Sequence, residues 1–383
     1  MPATSTKRLS YHIADQFKES FSEASPSRLY LFVGRTSPFA NDSVASTPTD
    51  TVQKQDYNIY KQMLAAKKIQ ETDVTYAIVR RNWANNNLYA EYTNTTLNST
   101  LHNSAFYVFT SDRNVYKCLF NNKGANSTVE PTGTSTGVTT TSDGYQWKYM
   151  FTVSTADVGK FTTAEYIPVK VITADDSSGQ FAVQDAAVDG AIDVIDVSAG
   201  GSGYLTNNGS FQAVTNATSM RLATTASAND SVYIGSTLYL NGGLGAGLIR
   251  EITSYTGATR TVTVNTAFST TPNTSSTYIV SPKVSISGDG TGAAAFSNVT
   301  TGGTAVNYIN MISTGTGYTN ATVTISANTS FGSGATAVPY IGPRGGHGKN
   351  AREELGGSFV MVASELSGNE ANTIPLENDI RTF

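Results

Sequence analysis

Two glycine-rich stretches built on one pattern constrain this chain more than any other feature. Ile192-Asp193-Val194-Ile195-Asp196-Val197 leads into Gly201-Ser202-Gly203-Tyr204, and Tyr308-Ile309-Asn310-Met311-Ile312 leads into Gly315-Thr316-Gly317-Tyr318. A second shared element follows each of them. Val284-Ser285-Ile286 precedes Gly292-Ala293-Ala294-Ala295, and Val323-Thr324-Ile325 precedes Gly334-Ala335-Thr336-Ala337. Such self-similarity means that a small β unit is used twice, neither copy able to bury its apolar face alone. Thr and Ser alternating with apolar residues predict antiparallel sheets with one wet face. Between the first Gly-Ser-Gly-Tyr and the first Val-Ser-Ile lies extra sequence, roughly Ala213 to Ile279, with strand signals at 232–240, 247–253 and 261–264. It reads as a β module inserted into the repeat.

The sequence ahead of the repeats differs in kind. Of 25 Lys and Arg residues, 17 lie in residues 1–170, as do Trp83, Trp147 and the single cysteine, Cys118. Residues 197–342 are instead dominated by Gly, Thr, Ser, Ala and Asn, which marks a domain boundary near residue 170. A length of 383 residues also argues against one core, since cores seldom grow past ~250 residues. The expected fold is therefore multidomain and mainly β, with a few N-terminal helices, an α+β arrangement. Residues 1–172 form an α+β core domain, and 173–212 with 279–342 form the glycine-rich repeat domain. Residues 213–278 are the inserted module, and 343–383 pack back on the body.

Within the first part, Leu9, Ile13, Phe17 and Phe21 recur every four residues, predicting a helix whose apolar stripe packs against something. Residues 28–33 read as a strand. Pro48-Thr49-Asp50 supplies a helix start, with Thr49 or Asp50 as cap and the helix running to about Leu64. Val74–Val79, Ala105–Thr110, Asn114–Phe120 and Tyr145–Val153 are strand candidates, rich in aromatic and β-branched residues. In the last of these, Asp143 and Gly144 make a turn. Period two then sets Tyr145, Trp147, Tyr149 and Phe151 on one face, a structural aromatic row for a core or a subunit interface.

Chemistry is hard to find. The three histidines, His12, His102 and His347, have no metal-binding spacing, and one cysteine allows neither a disulfide within the chain nor a thiolate cage. Gly288–Ala293 and Gly345–Asn350 resemble phosphate loops only loosely and read as turns. Asp175, Asp176 and the run Asp185, Asp189, Asp193 and Asp196 lack the fixed spacing of a calcium loop. No catalytic residue, cofactor or metal ligand is expected. A net charge of −4 offers no positive field to a phosphate backbone, so nucleic acid is not an expected partner. No stretch approaches the roughly twenty apolar residues of a membrane span, and Met1 to Phe21 lack a signal peptide's apolar core. The expectation is a chain made in a cytoplasm, without membrane insertion. Only 14% of residues are charged, against ~25% in ordinary globular chains, which suits strands and assembly surfaces. Arg80-Arg81-Asn82-Trp83 joins two guanidinium groups to an indole, residue types enriched where protein interfaces anchor.

Six segments, in order, resemble the baseplate wedge subunit of T-even-type contractile-tailed bacteriophages, the gene product eight family. They are Phe32-Val33-Gly34-Arg35 with Pro38, Pro48-Thr49-Asp50-Thr51, Arg80-Arg81-Asn82-Trp83, Val115-Tyr116-Lys117-Cys118-Leu119, Asp143-Gly144-Tyr145-Gln146-Trp147-Lys148-Tyr149-Met150-Phe151 and Glu165-Tyr166-Ile167. The likeness covers about residues 9 to 170, and Asn378–Phe383 adds a further point at the C-terminus. It departs from the family in the repeat-rich second half, and Asn82 stands where the family carries an acidic residue. The resemblance implies a non-enzymatic structural protein of the virion, located in the tail baseplate. It implies a homodimer that joins other baseplate wedge proteins and rearranges with them on contraction. Arg35, Arg80, Arg81 and Trp83 are the candidate interface residues.

A receptor- or carbohydrate-binding tail protein is the alternative, motivated by 20 tyrosines and many Asn, Ser and Thr residues. Tyr204 and Tyr318 are its sugar-stacking candidates, although their matching places in two repeats are equally explained by packing each turn on its neighbour. A depolymerase is disfavoured, because residues 197–342 hold only Asp230, Glu251 and Asp289 as acids.

Overall fold

A computed structural model describes residues 6–34, 51, 53, 57, 60–96, 98–299, 304–326, 331–364 and 380–381. The fold is mainly β, 41% strand against 13% helix, with several antiparallel sheets. Pro48, Thr49 and Asp50, the expected helix start, lie outside the described residues, as do Arg35 and Pro38.

The first unit is built on a sheet ordered β4-β5-β7-β6, from β4 (Tyr107–Phe109), β5 (Asn114–Phe120), β6 (Val138–Thr140) and β7 (Gln146–Thr152). All seven residues of β5 are buried, since cores cover both faces of the sheet. That explains a continuous apolar and aromatic run rather than an alternating one. On one face Tyr116, Cys118, Tyr145, Trp147 and Tyr149 cluster with Tyr89, Val108 and Val183. On the other, Val115, Leu119, Met150 and Phe151 meet Leu101, Phe106 and Ile167. Phe151 thus leaves the expected aromatic row. Val115 pairs with Phe151 while Tyr116 pairs with Tyr149, so Met150 is an extra residue in a bulge, which moves Phe151 across the sheet. A second sheet, β22-β3-β8, closes the unit through β3 (Val74–Val79), β8 (Tyr166–Val169) and the C-terminal β22 (Phe359–Val362). The short helices α2 (Asn98–Leu101) and α3 (Thr155–Phe161) flank these sheets. Helix α4 (Gly179–Asp185) packs on β7.

Helix α1 (Lys7–Glu19) starts at Thr6, whose side chain accepts from the Leu9 N–H. Its apolar stripe does not face the body: Leu9 is 47% exposed, Ile13 58% and Phe17 37%, whereas Tyr11, Ala14 and Phe21 are buried. Arg352, in α5 (Ala351–Glu354), explains the rotation. Its side chain is 4% exposed, pairs with Asp15, donates to the Tyr11 carbonyl at 3.1 Å and lies 3.7 Å over the Tyr76 ring. Tyr76 in turn donates to Asp15 at 2.7 Å. A buried guanidinium needs its partners, and supplying them turns the Tyr11–Ala14–Asp15 face inward. After Lys61 and Gln62, which are helical, the chain enters β2 (Met63–Lys68) where the sequence suggested helix. β2 pairs with β1 (Tyr30–Gly34) on one side and with β23 (Ile380–Arg381) on the other.

The repeats form an interlocked pair. The first contains β9 (Ile192–Ser202), β17 (Lys283–Gly288) and β18 (Thr291–Val299), and the second β19 (Val306–Thr316), β20 (Ala321–Ser326) and β21 (Ser333–Ile341). Each long first strand pairs with the last strand of the other repeat, β9 with β21 and β19 with β18, while β17 pairs with β20. β9 also packs on β19 and β20 on β21, which closes the six strands into a ring. The exchange holds at single residues. Gly201 (φ 61°) and Gly315 (φ 62°) sit in the left-handed region, and a Cβ on either would lie 2.3 Å and 2.6 Å, respectively, from main chain of the other repeat. Tyr204 and Tyr318 each cover a glycine of the opposite repeat, Gly332 and Gly290. Both tyrosines are buried among the ring's Ile, Val and Ala side chains.

The sequence between β9 and β17 forms a seven-stranded sheet with its own core, including Met220, Leu238, Ile252 and Val280. Its strands are β10 (Asn207–Ser210), β11 (Ala213–Asn216), β12 (Ser219–Arg221), β13 (Thr237–Gly242), β14 (Ile249–Thr256), β15 (Thr261–Val264) and β16 (Thr277–Ser281), in the order β10-β16-β13-β14-β15-β12-β11. Both of its ends join the ring, so the insertion replaces a turn without breaking the repeat.

Candidate functional site

Three arrangements bear on function: a buried ion cluster, the arginine–tryptophan corner, and an apolar surface exposed among the described residues. The ion cluster lies where the first unit, the ring and the C-terminal loop meet. Lys117, on β5 with its side chain 1% exposed, donates to Glu354 Oε2 at 2.9 Å and reaches His347 Nδ1 at 3.0 Å. Its ammonium lies 4.1 Å over the Tyr92 ring. Glu354 Oε1 accepts from the Gly348 N–H at 2.8 Å and the Asn350 N–H at 3.3 Å. His347 Nε2 is 4.0 Å from Asp193 Oδ2, on β9.

Burial pushes the Lys117 ammonium below its ordinary range, opposed by the charge of Glu354. Burial also lowers His347, reinforced by Lys117, so the imidazole is held neutral. For Glu354 burial acts upward, but the Lys117 charge outweighs it and holds the carboxyl well below its ordinary value. Lys117 as donor and neutral His347 as acceptor make a satisfied network, which pins the loop after β21 onto β5. A cleft of about 360 Å³ opens beside it, lined by Lys148, Asp193, His347, Thr136, Met311 and Thr314. Lys148 is itself engaged by the Thr136 carbonyl at 2.5 Å.

The sequence named Arg80, Arg81 and Trp83 as interface anchors, and the structure ties all three into the first unit. Arg80 donates to Asn82 Oδ1 at 2.8 Å and to the Thr163 carbonyl at 2.9 Å. Its partner at position 82 is an uncharged amide. Arg81 donates to the His102 carbonyl at 3.2 Å and stacks over the Tyr107 ring. Trp83 donates from Nε1 to Ser127 Oγ at 3.2 Å, and Ser127 donates to Asp143 Oδ2 at 3.1 Å. Asp143 also accepts from the Thr128 and Val129 N–H groups, at 2.7 and 3.0 Å. Burial acts upward on its carboxyl, but bonds from Thr141 and these main-chain donors bring it below its ordinary value. The turn before the aromatic strand and the tryptophan corner are thus one hydrogen-bonded structure. Tyr145, Trp147 and Tyr149 are buried in the core, and the Tyr145 and Trp147 rings stack at 5.3 Å.

Three of the acids singled out for ions accept main-chain hydrogen bonds. Asp175 accepts from the Ser177 N–H, Asp176 from the Ser178 N–H and Asp189 from the Gly345 N–H. Among the described residues no group of three or more His, Cys, Asp or Glu could hold a metal ion. Tyr204 and Tyr318 are 2% and 4% exposed, so neither presents a ring to a sugar.

The apolar surface is large and was only half visible in the sequence. Besides Leu9, Ile13 and Phe17, consecutive residues of the β1 segment stand out: Leu29 is 42% exposed, Tyr30 39%, Leu31 45%, Phe32 43% and Val33 48%. The Lys117–His347–Glu354 cluster was missed because its members lie far apart in the chain. The only local signal was a lysine inside an otherwise uninterrupted buried strand. No protein-family model matches the chain, and no curated protein matches it closely enough to count as a relative.

Proposed function

We propose that the chain is a structural subunit of a contractile phage tail, a baseplate wedge protein that acts as a homodimer and carries no catalytic centre. One observation carries the reading. Four of the six segments on which the family resemblance rests are neighbours in space. The Arg80 N–H donates to the Glu165 carbonyl at 2.7 Å, Cys118 pairs with Trp147 across β5 and β7, and Trp83 reaches Asp143 through Ser127. Residues that are separate in the chain thus make one mechanical unit, which is what a shared ancestral body requires.

Two further features support assembly over chemistry. The buried charges of the ion cluster are spent on each other, and Leu9, Ile13, Phe17 and Leu29 to Val33 remain a broad exposed apolar surface among the described residues. In this reading the first unit supplies the wedge contacts, and the ring with its inserted sheet reaches further partners. Tails purified from the phage test it: the chain is expected in the baseplate fraction and bound to other wedge proteins. Its recovery only as a free protein, in lysates that contain intact tails, overturns the proposal.

A further inference from the structure

We infer that the cleft beside the buried ion cluster binds a neutral sugar residue, held through its hydroxyl groups. The inference goes beyond the assembly reading above and does not rest on it.

The tautomer of His347 fixes what the cleft offers. Lys117 carries an ammonium, which only donates, so His347 Nδ1, 3.0 Å away, is the acceptor. The ring proton therefore sits on Nε2, and full protonation of the ring would leave that N–H in place. Among the described residues it makes no hydrogen bond, and Asp193 Oδ2 stands 4.0 Å away. The His347 side chain is 2% exposed, so this donor is both buried and unspent. The Asp193 side chain, 13% exposed, also makes no hydrogen bond among the described residues. Lys148 is 5% exposed and gives one N–H to the Thr136 carbonyl, which leaves two of its three donors over. All three side chains line the same cleft of about 360 Å³, toward the small end of ligand pockets.

The separation of Nε2 from Oδ2 selects the ligand chemistry. One oxygen about 2.8 Å from each fits between them, since the gap is shorter than two hydrogen bonds laid end to end. That oxygen must accept from Nε2 and donate to the carboxylate. A carboxylate ligand would accept from the histidine but meet the charge of Asp193. An ammonium would pair with Asp193 but turn its protons toward the Nε2–H. A hydroxyl does both.

Lys148 then donates to a second oxygen of the same ligand, which asks for a polyol rather than a simple alcohol. With one positive and one negative side chain lining the cleft, and the imidazole held neutral, the site has no net charge for an ion to answer. Val138, Val188 and Met311 supply aliphatic walls, which suit the C–H faces of a sugar ring.

The cleft is preformed by glycines on both sides of His347. Gly346 (φ 93°) and Gly348 (φ 91°) lie in the left-handed region, and a Cβ on them would collide with the Val188 main chain and the Val183 side chain, respectively. Asp189 also accepts from the Gly345 N–H at 2.6 Å. These contacts press the His347 loop onto the Val188 wall before any ligand arrives, so binding costs little ordering.

The test titrates the full chain with glucose, galactose, mannose, rhamnose and N-acetylglucosamine, followed by ligand-observed NMR, with glycine and acetate as charged probes. At least one neutral sugar is expected to bind with a Kd on the order of 1 mM, and the charged probes are not. Thr314 is partly exposed at the cleft and makes no side-chain hydrogen bond. Thr314→Trp is expected to weaken the sugar at least tenfold with an unchanged thermal midpoint. Asp193→Ala, which leaves the Lys117–Glu354 pair in place, is expected to weaken it likewise. Failure of every sugar to bind, with water alone filling the cleft, overturns the inference. So does binding that Thr314→Trp leaves unchanged, or tighter binding of glycine or acetate. The sugar that binds, offered next at the end of an immobilised oligosaccharide, separates a glycan chain from a free sugar as the source of the residue.

Discussion

Replacing Glu354 with alanine strands the Lys117 ammonium in a core where its side chain is 1% exposed. Removing one member of a buried ion pair costs about 3–5 kcal/mol, because the remaining charge keeps its desolvation penalty. Gly348 and Asn350 also lose their acceptor, adding about 1 kcal/mol. For a unit of this size each kcal/mol lowers the midpoint by about 2–4 °C, so Glu354→Ala is expected to lose on the order of 10–20 °C. Both tryptophans, Trp83 and Trp147, lie in the first unit, so their fluorescence follows its unfolding separately from the ring. The sharper test is the double variant Lys117→Met with Glu354→Leu. An apolar pair carries no buried charge, so the double variant should be more stable than Glu354→Ala alone. The reasoning fails if Glu354→Ala shifts the midpoint by less than about 3 °C, or if the double variant is the less stable of the two.

Burial holds His102 at about 4, against 6.5 ordinarily, and its Nδ1 is buried without a hydrogen-bond partner. A histidine depressed in the folded state stabilises fully above pH 6.5 and loses that contribution as pH falls toward 4, since the unfolded chain takes the proton first. Denaturant titrations should show stability declining through that window, with a shallower decline in His102→Phe; equal slopes would contradict the assignment. Gly201→Ala and Gly315→Ala should each cost about 2 kcal/mol or more and by similar amounts, because each forces a Cβ into main chain at positive φ. Gly247→Ala, with nothing within 4 Å, should cost less, and calorimetry of the three variants compares them. Trp147→Ala should destabilise the first unit by about 3–5 kcal/mol, given its full burial. At a temperature where that variant stays folded, light scattering should find its dimer unaffected.

Local sequence pattern carried the strands well and the surfaces poorly. Val74–Val79 and Asn114–Phe120 are strands over the residues their composition marked, because β-branched and aromatic runs have few other homes. The two glycine repeats were legible as copies, but their exchange of last strands was not, since strand pairing is a non-local choice. Leu9, Ile13 and Phe17 were visible as a stripe, yet which side of α1 turned inward depended on Arg352, far along the chain. Phe151 left its row through a bulge that period two cannot foresee. The composition shift near residue 170 precedes α4, which still packs on β7. Arg80, Arg81 and Trp83 carry the residue types of an interface, and each also makes a hydrogen bond within the unit while staying partly exposed. The ion cluster joins β5, β9 and the C-terminal loop, and no window of sequence contains all three.

The central claim is that this chain is an assembly subunit, and its mass in solution tests that most directly. Light scattering of the purified full-length chain should give twice the 40.5 kDa of one copy, and a larger complex once the other wedge proteins of the same phage are added. A monomer whose mass does not change in that mixture would contradict the account.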